Sequence, residues 1–173
     1  MGQIVFGNIF RFILFTLVQV AVIQYANFGS WCNPQLYLIS VLLLPFETPR
    51  MMVLLICFAQ GLIIDIFYDQ QGLHSGAMVF MGFVRPYVLS LIAPRDGYDV
   101  LLKPSSYHLG ISWFLMYSGI LIFAHHFFYF FIEIFRFTEF FSTLLRIVIS
   151  SLGTLVLVIG FQFLFYRKEK VQA

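Results

Sequence analysis

Among the residues able to do chemistry, Asp65 stands out because it interrupts an apolar run, Gly61-Leu62-Ile63-Ile64-Asp65-Ile66-Phe67. Placing a carboxylate in a bilayer costs roughly 2.5–3.5 kcal/mol on insertion scales, so a polar pocket, a helix–helix lock or a partner must offset it. Arg85 lies near the middle of the next apolar run and is long enough to reach towards Asp65. A buried Asp65–Arg85 pair would fix two helices or form a site; alternatively Asp65 sits near the interface and Arg85 bonds to backbone. Pro86 follows directly, removing one helical hydrogen bond and freeing the carbonyl of Gly82 beside the guanidinium. Gly72-x-x-x-Gly76 is a spacing of small residues that permits close helix approach, although both can be ordinary loop and packing glycines.

Other candidates are weaker. His125-His126 with Glu133 invites a metal or proton-relay reading, but metal sites need three or four converging ligands, and neither the remaining carboxylates nor His74 share a helical register with the pair. Packing or interfacial histidines are the expectation, with no metal and no cofactor. Glu133, Arg136 and Glu139, spaced by three, can pair along one helical face or form a solvated turn. Gln19 and Gln24 can hydrogen-bond across helices or face a cavity. Cys32 and Cys57 are not expected to form a bridge, and no metal-binding cysteine spacing is present. There is no Gly-x-Ser-x-Gly, His-Glu-x-x-His or P-loop, and no serine has an evident base, so catalysis has little support.

The elements that must position these residues follow from composition. The chain of 173 residues is 61% hydrophobic and 10% charged, with mean hydropathy +0.91; soluble domains are nearer 45–50% apolar and 25% charged. Lipid must be the solvent for most of this surface. The net charge of +2 is too small and scattered for a nucleic-acid surface. The expectation is one all-α polytopic membrane domain over 1–173, with six transmembrane helices at about 4–26, 34–46, 49–68, 73–93, 107–130 and 142–166. The second is short and needs thinning or tilt to span. Thr48-Pro49 reads as an N-cap followed by a first-position proline. The first run has no clear cleavage site, Ala26-Asn27-Phe28-Gly29-Ser30 being a weak imitation, and reads as a retained helix. Arg50, Arg95, Lys103, Arg167, Lys168 and Lys170 fall on one side, and Arg136, with Arg146 at the start of the sixth helix, on the other, which places both termini in the cytoplasm. Arg11 can snorkel inward.

Several of these segments resemble the MreD family of the bacterial rod-shape (elongasome) machinery. Leu17-Val18-Gln19 is similar to the end of an apolar run in that family's first helix, and Asn33-Pro34-Gln35-Leu36-Tyr37-Leu38 resembles the proline-led start of its second. Gly61-Leu62-Ile63-Ile64-Asp65 followed by Gly72-Leu73-His74 is similar to its Gly-x-x-x-Asp and Gly-x-[His/Arg] pattern. The resemblance covers about half the chain; Arg85-Pro86 and the Glu133/Arg136/Glu139 turn have no counterpart in it. It implies a non-enzymatic scaffold in the bacterial cytoplasmic (inner) membrane. Its implied partner is an MreC-like bitopic protein, and indirectly MreB, RodA and a class B penicillin-binding transpeptidase. The family also resembles the six-helix substrate-binding subunits of energy-coupling-factor vitamin transporters, an analogy of fold alone. Two competing readings stand beside it: a transport subunit capturing a small molecule near Asp65 and Arg85, and an intramembrane enzyme using His125, His126 and Glu133. An enclosed cavity of several hundred Å³ would favour transport, and tightly packed small residues together with an exposed groove for a partner helix would favour a scaffold. The expected site residues are Asp65, Arg85, Gly61, Gly72, Gly76 and Pro86, partner-binding or structural.

Overall fold

The computed structural model describes residues 2–26, 28–29, 31–95, 97–98, 103–134 and 140–165, with side chains from 6 to 164. Its helices are α1 (Gly2–Ala21), α2 (Ile39–Leu42), α3 (Arg50–Tyr68), α4 (Leu73–Leu91), α5 (Ser106–Leu109), α6 (Ile111–Ile134) and α7 (Phe140–Phe165); short 3-10 turns cover Ile23–Tyr25 and Leu36–Leu38. There is no strand among the described residues. Arg136, Glu139, Arg167, Lys168 and Lys170, used above for pairing and orientation, lie outside them.

Polarity is inverted relative to a water-soluble bundle. Phe6, Ile9, Phe10, Ile13 and Leu17 of α1 point outward, as do Met51, Leu55, Phe58, Leu62 and Ile66 of α3. Gln19, Gln60, Asp65, Arg85, His125, His126, Ser150 and Thr154 are buried. Among the described residues, four helices are long and apolar enough to cross a membrane: 6–25, α3, α6 and the 140–164 stretch of α7. These features are compatible with a multi-pass membrane protein. The nineteen residues of α4 are not in that set. This helix carries His74, Ser75 and Arg85 on buried positions and packs between α3 and α6. It is the most polar of the long helices because its surroundings are largely protein.

The expected helix 34–46 is the main departure. Asn33 to Gln35 are not helical, and regular structure runs only from Leu36 to Leu42. Seven helical residues rise about 10 Å, far short of a 30 Å hydrocarbon core. The segment nevertheless runs the length of the bundle. Gln19 Nε2 donates to Tyr68 Oη at 2.9 Å and Gln24 Nε2 to the Phe67 carbonyl at 3.3 Å. The C-terminal ends of α1 and α3 are therefore level, and the connection must return through the bundle to start α3. It does so in the interior: Tyr37, Leu38, Val41, Leu42 and Leu43 are fully buried. Irregular backbone at such depth is tolerated only where protein groups satisfy it.

Smaller differences concern helix ends. Pro49 is the N-cap of α3 with Arg50 first in the helix, and Thr48 Oγ1 donates to the Pro45 carbonyl instead of capping. The fifth expected helix divides at Gly110, whose φ of 84° separates α5 from α6. Between α3 and α4 the chain reverses through two left-handed residues, Asp69 (φ 53°) and Gly72 (φ 88°). The aspartate side chain tolerates that region better than most, and glycine has no Cβ to clash.

Candidate functional site

The described polar interior has three parts, each built around irregular backbone or a helix end. The first surrounds Asp65. Its Oδ1 accepts from the His74 amide at 2.8 Å and its Oδ2 from the Ser75 amide at 3.0 Å. Those are first-turn N–H groups of α4, which have no partner within their own helix. The carboxylate of α3 thus caps α4 from outside, where the positive end of the helix dipole favours an anion. Gly72, at the N-cap position, supplies no side-chain cap. Gly61 makes the approach possible. A Cβ there would sit 2.6 Å from the Ser75 nitrogen and 2.8 Å from the His74 carbonyl carbon. Gly61 and Asp65, four apart on one face of α3, act together: one lets α4 in and the other holds its end.

The second part surrounds Arg85. Its Nε donates to Tyr117 Oη at 2.9 Å, and its Nη2 to the carbonyls of Leu44 at 2.6 Å and Pro45 at 3.4 Å. Tyr117 Oη donates in turn to the Leu42 carbonyl at 3.1 Å. Arg85 thus satisfies the turn that follows α2, and Tyr117 the last residue of that helix. The Asp65–Arg85 pair does not form: the one ion pair among the described residues joins Arg146 and Glu133 at 3.4 Å. From Ser75 to Arg85 the helix rises about 15 Å, which keeps the two charges at different levels. The bonds of Arg85 go to the turn after α2 and to Tyr117, not to the Gly82 carbonyl that Pro86 would free, and α4 continues through Pro86. Gly82 instead gives room to Cys57, whose Sγ would lie 2.7 Å from a Cβ there.

The third part holds the extended stretch before α2. The Asn33 amide donates to Ser150 Oγ and the Gln35 amide to Thr154 Oγ1, each at 3.0 Å, and the Leu36 amide to Gln19 Oε1 at 2.7 Å. Gln19 Nε2 returns to the Pro34 carbonyl at 3.3 Å. Side chains of α1 and α7 thus replace the bonds a helix would have made for itself. Beside this stretch Tyr37 Oη meets Gln35 Oε1 at 2.9 Å, His74 Nδ1 at 2.9 Å and His125 Nε2 at 3.2 Å. His74 and His125 do converge, although their sequence registers gave no sign of it; the convergence runs through Tyr37 of the irregular segment. Glu133 is elsewhere, paired with Arg146 of α7, whose guanidinium also lies 4.6 Å from the Phe130 ring centre. Among the described residues no three of His, Cys, Asp and Glu are placed to hold a metal.

On the outside, α3, α4 and α6 leave an open groove of about 520 Å³. Gly72, Ser75 and Gly76 lie along it with Val79, and Phe58, Phe80, Phe83 and Phe128 contribute aromatic surface. Gly76 also faces Phe128, 3.2 Å from where its Cβ would be. Of the expected site residues, Gly61 and Asp65 act together, Gly72 and Gly76 border the groove beside them, and Arg85 with Pro86 lies further along α4. Gln19, Tyr37, Ser150 and Thr154 complete the interior. The fourfold spacing of Ser150 and Thr154 in an apolar helix was the available signal for two of them.

No family model, curated protein or solved structure matches the chain.

Proposed function

We propose that this chain is a non-enzymatic scaffold subunit of a bacterial rod-shape complex, MreD-like in role, which receives the transmembrane helix of an MreC-like bitopic protein in the α3/α4/α6 groove. The observation that carries the reading is the groove. It is open and apolar and has small residues along it, the surface that lets a second helix approach closely in lipid. Of the residues that carry the family resemblance, Gly72 lines the groove, and Gly61 and Asp65 hold α3 and α4 together behind it. In this reading the protein lies in the cytoplasmic membrane with both termini inside. It has six passes, the second being the buried, broken segment before α3. MreB, RodA and a class B penicillin-binding transpeptidase are reached indirectly.

The test is copurification from a rod-shaped host. The protein is expected to bring down the MreC-like protein, and Val79→Trp, which fills the groove, to lower that recovery at least several-fold at unchanged membrane level. Cells lacking the gene are expected to round up. Normal rod growth after clean deletion would falsify the scaffold reading; unchanged recovery with Val79→Trp would remove the groove from it.

A further inference from the structure

The cluster around Tyr37 has a hydrogen-bond imbalance that its own residues do not resolve. Gln35, Tyr37, His74 and His125 are all 0–1% exposed. Each of Gln35, His74 and His125 offers one polar atom to the Tyr37 hydroxyl. The other polar atom of each, namely Gln35 Nε2, His74 Nε2 and His125 Nδ1, is buried with no hydrogen-bond partner among the described residues. A phenol carries one hydrogen and can accept two. With Gln35 Oε1 accepting that hydrogen, both facing imidazole nitrogens must donate. His74 Nε2 and His125 Nδ1 are then lone pairs, and Gln35 Nε2 keeps its N–H groups. Exchanging the amide atoms of Gln35, or letting one imidazole accept, changes which atoms donate. It does not change the number left over, because the hydroxyl engages only one atom of each neighbour.

Three unmatched buried polar atoms around one hydroxyl are unusual, since buried polar groups are nearly always bonded to protein or ordered water. The leftover set, two acceptors and one donor, is complementary to water, which donates two hydrogens and accepts. We propose that this cluster is a hydration site inside the bundle, where water donates to His74 Nε2 and His125 Nδ1 and accepts from the Gln35 amide. The neighbouring His126 is the internal contrast. Its Nδ1 lies 2.9 Å from the Ile122 carbonyl and so carries the hydrogen, and its Nε2 faces Thr154 Oγ1 at 3.3 Å. Thr154 accepts from the Gln35 amide, leaving its own hydrogen free to donate to that ring. Both His126 nitrogens are matched by protein. The inference is independent of the scaffold reading: it concerns the interior and not the groove.

Water-edited solid-state NMR on the full chain in lipid vesicles, with histidine labelled by ¹⁵N, tests it. His126→Asn identifies the control signal, and a His108→Gln background removes the exposed fourth histidine. Polarisation from water is expected to reach His74 and His125 several-fold faster than His126, and exchange into D₂O to remove that transfer. Equal build-up at all three rings, or none at His74 and His125, would overturn the proposal. A Tyr37→Phe variant that keeps its elution profile should shift the His74 and His125 nitrogen signals and leave those of His126 in place; unchanged His74 and His125 signals would count against the shared hydroxyl.

Discussion

The two charged sites along α4 solve one problem in opposite ways. At its start, an anion from another helix accepts the first-turn amides, and the fit is close because Gly61 has no side chain. Further along, a cation of α4 itself donates to carbonyls of the turn after α2, and to a tyrosine that donates to the last residue of that helix. Each charge is matched to backbone groups of complementary sign, the anion to helix-end amides and the cation to turn carbonyls. The anion's site is backbone against backbone, with little room to adapt. The cation's site is built of flexible groups and carbonyls with a second lone pair, and should forgive more. Buried charges of opposite sign within one helix hairpin therefore need not be each other's partners.

The largest effect is expected where adaptation is least. Gly61→Val should push α4 off α3 and cost upwards of about 3 kcal/mol, because the colliding atoms are backbone; denaturant titration in detergent micelles would read it, and near-native stability would mean that the two helices are not in contact there. Asp65→Ala should cost about 3 kcal/mol, from two charge-assisted bonds at roughly 1.5–3 kcal/mol each, partly offset by water reaching the freed amides. Asp65→Asn should keep part of that. Arg85→Met should cost about 1 kcal/mol, since loss of its bonds is balanced by no longer burying a charge. The smallest expected quantity is the most discriminating: the Asp65→Ala/Arg85→Met cycle should close within about 0.5 kcal/mol, as for independent sites. A coupling of 2 kcal/mol or more, in the range of directly interacting groups, would restore the ion pair that the geometry denies.

How far the sequence carried is clearest at these same residues. Apolar length and polar breaks placed α3, α4 and α7 to within a few residues, because lipid-facing helices must be long and apolar wherever they are not covered. Asp65, Arg85 and Gly61 were recognisable as costly or permissive in their runs. Their partners were not, because a backbone amide or carbonyl leaves no mark on the sequence. The same reason hid the broken segment: Pro34 to Phe46 reads as a short helix, while the groups that hold its irregular start, Gln19, Ser150 and Thr154, are scattered over the chain. The meeting of His74 with His125 was invisible to helical register because Tyr37, outside both helices, connects them.

That broken segment also sets an order of events during synthesis. Asn33 and Gln35 find their acceptors 117 and 119 residues later, on α7. While the ribosome is still making α4 or α6, those amides have no such acceptor, and the stretch has too few helical residues to cross a bilayer unaided. The second passage through the bundle thus follows α1 out of the ribosome and gains these acceptors only once α7 is made. Truncation before α7 removes both acceptors.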